Sequence, residues 1–333
     1  MARRGRRAAR KPSDDEPAGR CGDRHSAYDV IVVGGGPAGL SAALVLGRAL
    51  RRVVVVDAGS PRNAPAAHMH GFMSRDGMPP SELLAAARAE LARYGVELIA
   101  DRVLRIETGF TVLLGGGSVL NARHILIATG VRDELPDIPG VRERWGRDLL
   151  HCPYCHGWEV RDQPLGVLGT GAHSVVHALL VRQWSADVVF FTHTVALNSD
   201  EFAQLAARGV QVLGGEVRQL IVQDDRLVGV ELTDGRAVPR AAVFVRTVNK
   251  PHDERLLASL GCDLDPAGFP IVDETGRTSI PGVWAAGNVT NPRLQVISSA
   301  GAGSAAAIAV NADLVQQDVE RAIRTRLQGA RRS

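Results

Sequence analysis

The sequence has no hydrophobic run long enough for a membrane span, and it contains only four cysteines. A helix that crosses a bilayer needs roughly 18 consecutive apolar residues, and no stretch of the chain reaches that length. Four cysteines among 333 residues cannot build the dense disulfide framework of a small secreted domain. These absences predict a soluble, cytoplasmic protein with no membrane partner.

Acidic residues are missing from the first eleven positions, which contain six arginines and lysines. Without those six positive charges, the formal net charge of +3 becomes −3 for the remainder of the chain. A mildly acidic body gives no reason to expect a nucleic-acid partner. The segment also lacks the apolar core of a secretion signal. We therefore expect residues 1–27 to be a disordered basic tail, or the product of an over-long start-site assignment.

The cysteines do not form a four-ligand metal set. Cys21 and Cys262 each stand alone, without a cysteine partner or a histidine pair at zinc-site spacing. Cys152 and Cys155 are three positions apart, and His156 follows directly. A disulfide that closes so small a ring restricts the unfolded chain very little, so it is a weak structural staple. The pattern favours a redox-active pair with one thiol of lowered pKa, and half of a zinc site is the alternative.

A short β-branched run, Asp29–Val33, leads directly into a glycine-rich turn. The run predicts a buried parallel strand, and the Ala- and Leu-rich segment Leu40–Leu50 predicts a helix. A second strand is predicted over Arg52–Val56, ending at Asp57. This order is typical of a dinucleotide-binding unit, in which phosphates lie at the helix N-terminus.

The residues of this unit have separate predicted roles. Gly34 allows the tight turn, Gly36 lets the backbone approach a pyrophosphate, and Gly39 lets the helix pack on the strand. Pro37 suits the first helical turn, where its missing N–H costs nothing. Asp57, 23 residues after the first glycine, stands near the place of the acid that binds ribose hydroxyls. The predicted cofactor-binding residues of this unit are Gly34, Gly36, Pro37, Ala38, Gly39 and Asp57.

Two later strand ends are predicted to return to this unit. An apolar strand at His124–Ala128 runs into Thr129 and Gly130, although an ordinary strand end is the alternative. Near the C-terminus, another apolar strand precedes Gly287-Asn288, and a long Ala-rich helix follows from about Ser298. These strand ends add Ala128, Thr129, Gly130, Gly287 and Asn288 to the predicted cofactor-binding residues.

A second unit of the same style occupies residues 165–191, again with a strand, a glycine turn, a helix and a strand. Gly169 and Gly171 fill two glycine positions, but Ser174 occupies the third small position. The segment after its second strand, Thr192–Ala196, contains no arginine that could bind a 2′-phosphate. NADPH binding by this unit is therefore doubtful.

Taken in order, these motifs resemble the low-molecular-weight thioredoxin reductase family of flavoproteins. The resemblance implies FAD, a homodimer and an α/β fold with two Rossmann-like three-layer domains. The FAD domain would be split over residues 28–132 and 251–325, with an NAD(P)-type domain, 133–250, inserted and carrying the dithiol. The same resemblance places Gln295 and Val296 against the flavin. The motifs that carry it are Gly34–Gly39, Ala128–Gly130, Cys152–Cys155, Gly169–Gly171 and Pro281–Gly287.

Three departures from the reductases bear on function. His156 replaces the aspartate that follows the second cysteine, the arginine-rich patch is absent, and Asn288 replaces the final aspartate. Asn288 can still bind a ribityl hydroxyl. The stretch 152–157, together with 60–63 and 70–72, is similar to the dithiol oxidases of disulfide natural products such as gliotoxin and holomycin. That similarity implies a small-molecule dithiol as substrate and O₂ as electron acceptor.

The resemblance also implies roles for the site residues. Cys152 would be attacked by a substrate thiolate, and Cys155 would lie nearest the flavin. His156, with a usual pKa near 6.5, can take up and return a proton at neutral pH. Capping of the turn is the alternative role for His156. Four further residues are predicted to contact the substrate: His68, His70, His151 and Tyr154.

Two other functions remain open at this point. An NADPH-dependent reductase of thioredoxin or another disulfide would share every flavin motif. A flavin-loaded protein that binds a dithiol without turnover, or that senses redox state, would share them as well.

Overall fold

The computed structural model describes residues 28–252 and 254–330, so the predicted tail 1–27 lies outside the described residues. The first part of the chain, residues 28–127, forms six strands and two helices. They are β1 (Tyr28–Val33), α1 (Pro37–Arg48), β2 (Val53–Asp57), α2 (Pro80–Ala92), β3 (Glu97–Ala100), β4 (Val103–Glu107), β5 (Thr111–Leu114) and β6 (Val119–Ile127).

The middle part of the chain forms a second set of elements. They are β7 (Val131–Glu134), α3 (Val141–Arg144), β8 (Leu149–Leu150), α4 (Pro153–His156), β9 (Leu165–Leu168), α5 (Ser174–Val181), β10 (Val188–Phe191), α6 (Ser199–Ala207), β11 (Gln211–Leu213), β12 (Val217–Gln223), β13 (Arg226–Leu232), β14 (Ala237–Pro239), β15 (Ala242–Val245) and β16 (Val248–Pro251). The last elements are α7 (Glu254–Ser259), β17 (Val283–Ala285), a 3₁₀ turn (Gly287–Val289) and α8 (Val296–Ala330).

The first sheet has seven strands in the order β3-β2-β1-β6-β5-β4, with β17 also paired to β6. Strand β1 pairs in parallel with both β2 and β6, and β17 pairs in parallel with β6. The residues Val30–Val33 are buried because both faces of this sheet are covered, which explains their uninterrupted apolar sequence. The carboxyl ends of β1, β6 and β17 therefore lie at one edge of the sheet.

Each face of the first sheet packs on its own hydrophobic core. On one face, helices α1 and α8 contribute residues such as Leu46 and Val310. The core on the opposite face includes residues of β4 and β5, the last strands of the sheet, and of α7, which contributes Leu256 and Leu257. This is the three-layer arrangement expected from the sequence.

The second sheet has five parallel strands in the order β11-β10-β9-β15-β8. Helices α5 and α6 pack on one face, where Ala178 and Leu205 are fully buried. The antiparallel sheet of β12, β13 and β14 covers the other face. The short strand β8 brings residues 151–156 to the carboxyl end of this sheet, where the cysteine pair follows.

The chain passes between the two large sheets through β7 and β16, which pair antiparallel. Asp133 on β7 accepts hydrogen bonds from Thr247 Oγ1 and Asn249 Nδ2, both at 2.7 Å. Arg62, from the first sheet's side, donates two hydrogen bonds of 2.8 Å to the same carboxylate. Burial alone would raise the pKa of Asp133, but these donors, Arg62 foremost, hold that pKa below its usual value.

Most strands predicted from apolar runs are present within a residue or two at each end, but β6 begins at Val119, five residues before the predicted start at His124. The ends of the helices differ as well. Helix α5, for which the pattern of the second unit predicts residues 175–184, begins at Ser174 and ends at Val181, followed by a turn. The Ala-rich helix begins at Val296 rather than about Ser298. Within the part of the chain that the structure describes, no helix combines the length and apolar character needed to cross a membrane.

Candidate active site

A central cavity lies between the two large sheets and contains most of the predicted site residues. Its walls combine the glycine turn after β1, the segment 60–70, the cysteine segment and the residues that precede α8. The predicted residues that line it are Gly34, Gly36, Pro37, Ala38, Asp57, His68, His70, Thr129, Gly130, His151, Cys152, Cys155, His156, Asn288, Gln295 and Val296. Two modules that are distant in sequence therefore share one cavity.

The glycine turn is shaped for a ligand at the start of α1. Gly34 has a φ of +107°, and an added Cβ would lie 2.4 Å from the carbonyl oxygen of Ala128. A Cβ on Gly39 would lie 1.9 Å from the Gly34 oxygen, which explains why glycine stands where α1 packs against the turn. A Cβ on Gly36 would meet nothing within 4 Å. No side chain caps α1, so its first N–H groups remain available for a phosphate.

Asp57 lies at the end of β2 on the cavity wall, and its Oδ2 accepts a hydrogen bond of 2.9 Å from Arg88 Nη2. Arg88 is not among the predicted site residues, because an arginine in the middle of α2 is ordinary on the outer face of a helix. The carboxylate has two oxygens, so the pair with Arg88 orients Asp57 and still leaves acceptor positions for ribose hydroxyls.

Asn288 also lines the cavity. Its Nδ2 donates to the carbonyl oxygens of Asn291 and Leu294, at 3.1 and 3.0 Å. These two carbonyls fix the orientation of the amide, so Oδ1 is the atom left to accept a bond from a hydroxyl. Ala128 and Gly287 do not line the cavity; they support the turns beside Gly34 and Ala38.

Cys152 and Cys155 are joined by a disulfide and line the cavity at the N-terminal end of the short helix α4. Both cysteines are half-buried. The side-chain amide nitrogen of Gln295 lies 3.9 Å from Sγ of Cys155. Cys155 is thus the sulfur that touches the segment predicted to face the flavin.

His156 lies at the end of α4 and is half-buried. Burial lowers the pKa of its imidazole, and the nearby His70 lowers that pKa further, while Glu159 opposes the shift. The net direction is downward, so His156 is neutral at pH 7 and can accept a proton from a thiol. This position suits acid–base chemistry beside the disulfide.

His70 connects the segment 60–70 to the cysteine module. Its Nε2 lies 3.4 Å from Oε1 of Glu159, and its Nδ1 lies 3.4 Å from Oδ2 of Asp76. His68 also lines the cavity, and its Nδ1 lies 3.0 Å from the Gly77 carbonyl oxygen. Glu159 was missed by the sequence analysis, although its position three residues after His156 was a usable signal.

His151 points into the central cavity from the residue before Cys152. Burial and the positive charge of Arg62 lower the pKa of its imidazole, while Asp133 opposes them. Behind it lies His177, whose ring centroid is 6.5 Å away and which hydrogen-bonds the His151 backbone. Burial lowers the pKa of His177 to about 3, so this ring stays neutral and supports the cysteine segment from within the core.

Of the four residues predicted to contact the substrate, Tyr154 is the one that does not line the cavity. Its side chain is 65% exposed and meets the Trp184 ring edge-on, with 5.6 Å between the ring centroids. In a short helix, the residue between two inward-facing cysteines points outward. Its predicted contact with substrate stays a prediction.

The glycine turn of the second unit is occupied by a side chain of the protein itself. The hydroxyl of Ser174 accepts hydrogen bonds from the backbone N–H groups of Thr170 and Gly171, at 3.0 and 3.2 Å. These are donors that a pyrophosphate would need in a turn of this kind. After the next strand, His193 Nδ1 accepts a bond from the Val217 N–H and thus serves the fold.

The family model for pyridine nucleotide-disulphide oxidoreductases matches residues 28–305. The chain belongs to this family. Among curated relatives, "Thioredoxin reductase sirT" of Leptosphaeria maculans is 31% identical over 88% of this chain and 96% of its own length. "Thioredoxin reductase tcpT" of Claviceps purpurea is 32% identical, over 86% and 95%.

Solved structures give the same result. HlmI superposes with a TM-score of 0.89 at 56% identity, over 91% of this chain and 97% of that one. An oxidoreductase from Agrobacterium tumefaciens has a TM-score of 0.82 at 37% identity, over 86% and 98%. The predicted α/β fold and the predicted family are confirmed, and this thioredoxin reductase-like chain is a disulfide oxidoreductase.

FAD is the cofactor of thioredoxin reductase-like members of this family, so that expectation is confirmed. The residues of this chain fit it. The open face of Gly36 and the uncapped start of α1 suit the pyrophosphate, and Asp57 suits the ribose. Asn288 offers an acceptor for the ribityl chain, and the cavity continues to Gln295 and the disulfide.

Proposed function

We propose that the protein is an FAD-dependent dithiol oxidase, which converts a small-molecule dithiol into its intramolecular disulfide and uses O₂ as the acceptor. The observation that carries the proposal is the placement of the Cys152–Cys155 disulfide and His156 in one cavity with the residues that fit FAD. The similarity to the dithiol oxidases and the 56% identity with HlmI point to the same chemistry.

The sulfur chemistry begins at Cys152. A substrate thiolate attacks its Sγ, the protein disulfide breaks, and Cys155 departs as a thiolate next to the Gln295 amide. The second substrate thiol, once deprotonated, attacks the substrate sulfur of the mixed disulfide. The substrate disulfide forms and Cys152 departs as a thiolate, so the protein pair has gained two electrons. A bound FAD would supply the redox chemistry that joins the reduced pair to O₂, so that the two electrons and the two protons released by the substrate thiols end in hydrogen peroxide.

His156 manages the protons in this scheme. Its pKa is lowered by burial, so the neutral imidazole is available to deprotonate the incoming thiol. The resulting imidazolium lies beside a newly formed thiolate and beside Glu159, and both favour the positive charge. Aspartate at this position, with a usual pKa near 3.9, would hold a proton poorly at neutral pH.

The second glycine turn supports an oxidase over an NADPH-dependent reductase. Ser174 already satisfies two of the N–H groups that would contact a pyrophosphate. The segment 192–196 contains no arginine for the 2′-phosphate. A reductase would need free N–H groups in this turn and an arginine after the strand to bind NADPH.

Turnover of a dithiol in air, with no nicotinamide nucleotide present, tests the proposal. We expect one molecule of peroxide for each substrate disulfide formed. A reductase would leave the dithiol unoxidised under these conditions, because it draws its electrons from NADPH. A protein that only binds or senses the dithiol would yield at most one disulfide per active site.

A further inference from the structure

A second cavity of about 420 Å³ lies against the central one, between the segment 64–70 and residues 146–160. We call it the side chamber. Its volume falls within the range of ordinary small-molecule sites. Pro65, Ala66, His70 and His156 line both cavities. His156 therefore stands at the boundary, with the disulfide on its other side.

The side chamber has an apolar wall and a polar end. Ala64, Pro65 and Ala67 form the wall on one side, and Leu150 and Val160 face them from the cysteine module. Small alanine and proline side chains leave room for a compact ring system. At the polar end, Glu159 and the histidines shared with the central cavity supply the hydrogen-bonding groups.

Glu159 dominates the charge of the side chamber. Arg147, its one arginine among the described lining residues, is paired with Asp225 through two hydrogen bonds, one of them 2.9 Å long. Glu159 is 43% exposed, and its Oε1 meets His70 Nε2 at 3.4 Å. Among the described residues, Oε2 has no hydrogen-bond donor and can accept one from a ligand.

We propose that the side chamber holds the scaffold of the substrate and selects compact, uncharged dithiols that carry an N–H donor for Glu159. This inference rests on the proposed oxidase function. The scaffold lies against the alanine and proline wall, and its thiols reach Cys152 past His156. Thiols with carboxylates are disfavoured because a second negative charge would lie close to Glu159.

Dihydrolipoamide and dihydrolipoate test the selection, because they share one dithiol scaffold and differ in an amide against a carboxylate. We expect the wild-type holoenzyme to have at least a tenfold higher kcat/KM for the amide, measured as peroxide formation. Glu159→Gln keeps a hydrogen-bond acceptor but removes the charge. The ratio of kcat/KM for the amide to kcat/KM for the acid should therefore fall to about twofold, because kcat/KM for dihydrolipoate rises. Equal kcat/KM of the wild type for both dithiols overturns the proposal.

Filling the side chamber is a second test. Ala67→Trp should raise KM for dihydrolipoamide about tenfold, while the flavin absorbance per protein stays at the wild-type value. Ala206→Trp, on the exposed face of α6 and outside both cavities, is the control and should leave KM unchanged. An unchanged KM in Ala67→Trp overturns the proposal that the side chamber holds the substrate, and it leaves the proposed oxidase function intact. If the wild type oxidises neither dithiol, both the proposed oxidase function and the proposed role of the side chamber are overturned.

Discussion

The side-chain amide of Gln295 lies 3.9 Å from Sγ of Cys155, which links the segment before α8 to the redox pair. An N–H donor at that distance stabilises a thiolate more than a thiol. Gln295→Met keeps the length of the side chain but removes the donor. We expect kcat for dithiol oxidation to fall by about twofold to thirteenfold, as loss of one hydrogen bond worth about 0.5–1.5 kcal/mol implies.

Gln316→Met is the matched control for that change. Gln316 is exposed on the outer part of α8 and bonds only Glu320 among the described residues. The kcat of the Gln316→Met variant should equal that of the wild type. A Gln295→Met enzyme as fast as this control would show that the amide does not act on Cys155.

We expect both cysteines of the pair to be indispensable for peroxide production and Cys262 to be dispensable. Cys155→Ser and Cys152→Ser should each reduce peroxide production by at least a thousandfold, because neither variant can form the disulfide that the substrate reduces. Cys262→Ala is the control, since this thiol is buried in the first sheet's core and contacts Thr278. Full peroxide output from Cys155→Ser would favour a binding or sensing role.

The pH dependence of kcat/KM should report His156. Burial places its pKa below 6.5, so the neutral base is complete above that value and is lost as the pH falls through the lowered pKa. We therefore expect kcat/KM to be flat around pH 7 and to decline only on the acid side of pH 6.5. His156→Asn should lose this acid limb together with most of its activity. An acid limb that persists unchanged in His156→Asn would assign the proton transfer elsewhere.

His177 should make the protein sensitive to acid. Its pKa is about 3 in the folded chain and near 6.5 when unfolded, so only the unfolded state binds the proton between these values. Stability therefore falls as the pH drops from 6.5 towards 3, by about 1.4 kcal/mol per pH unit from this one ring. His177→Leu should shrink the difference in free energy of unfolding between pH 7.5 and pH 5.0 by about 2 kcal/mol.

Urea unfolding at the two pH values measures that difference. Val176→Leu, on the exposed face of the same helix, is the control and should retain the wild-type difference. If the difference in free energy of unfolding between the two pH values is the same in His177→Leu as in the control, groups other than His177 cause the acid sensitivity.

The sequence predicted the parts of the site that depend on local patterns. The turn from Gly34 to Gly39 needs only its neighbours to be identified, because strand, turn and helix follow one another. The disulfide pair and His156 were found for the same reason. Each of these features is contained within a dozen consecutive residues.

Features that depend on distant pairings were not predictable from the sequence. Arg62 and Asp133 are 71 residues apart, and nothing local to either residue indicates the other. Ser174 could be recognised as a departure from glycine, but not as the acceptor of two turn N–H groups. The outward direction of Tyr154 depends on the start of a four-residue helix, which apolar periodicity does not reveal.

The most direct test is to mix the yellow holoenzyme with one electron donor at a time in the absence of O₂. The account predicts that a small dithiol bleaches the flavin band, that NADPH does not, and that air restores the colour with release of peroxide. Rapid bleaching by NADPH, with no response to any dithiol, would contradict it.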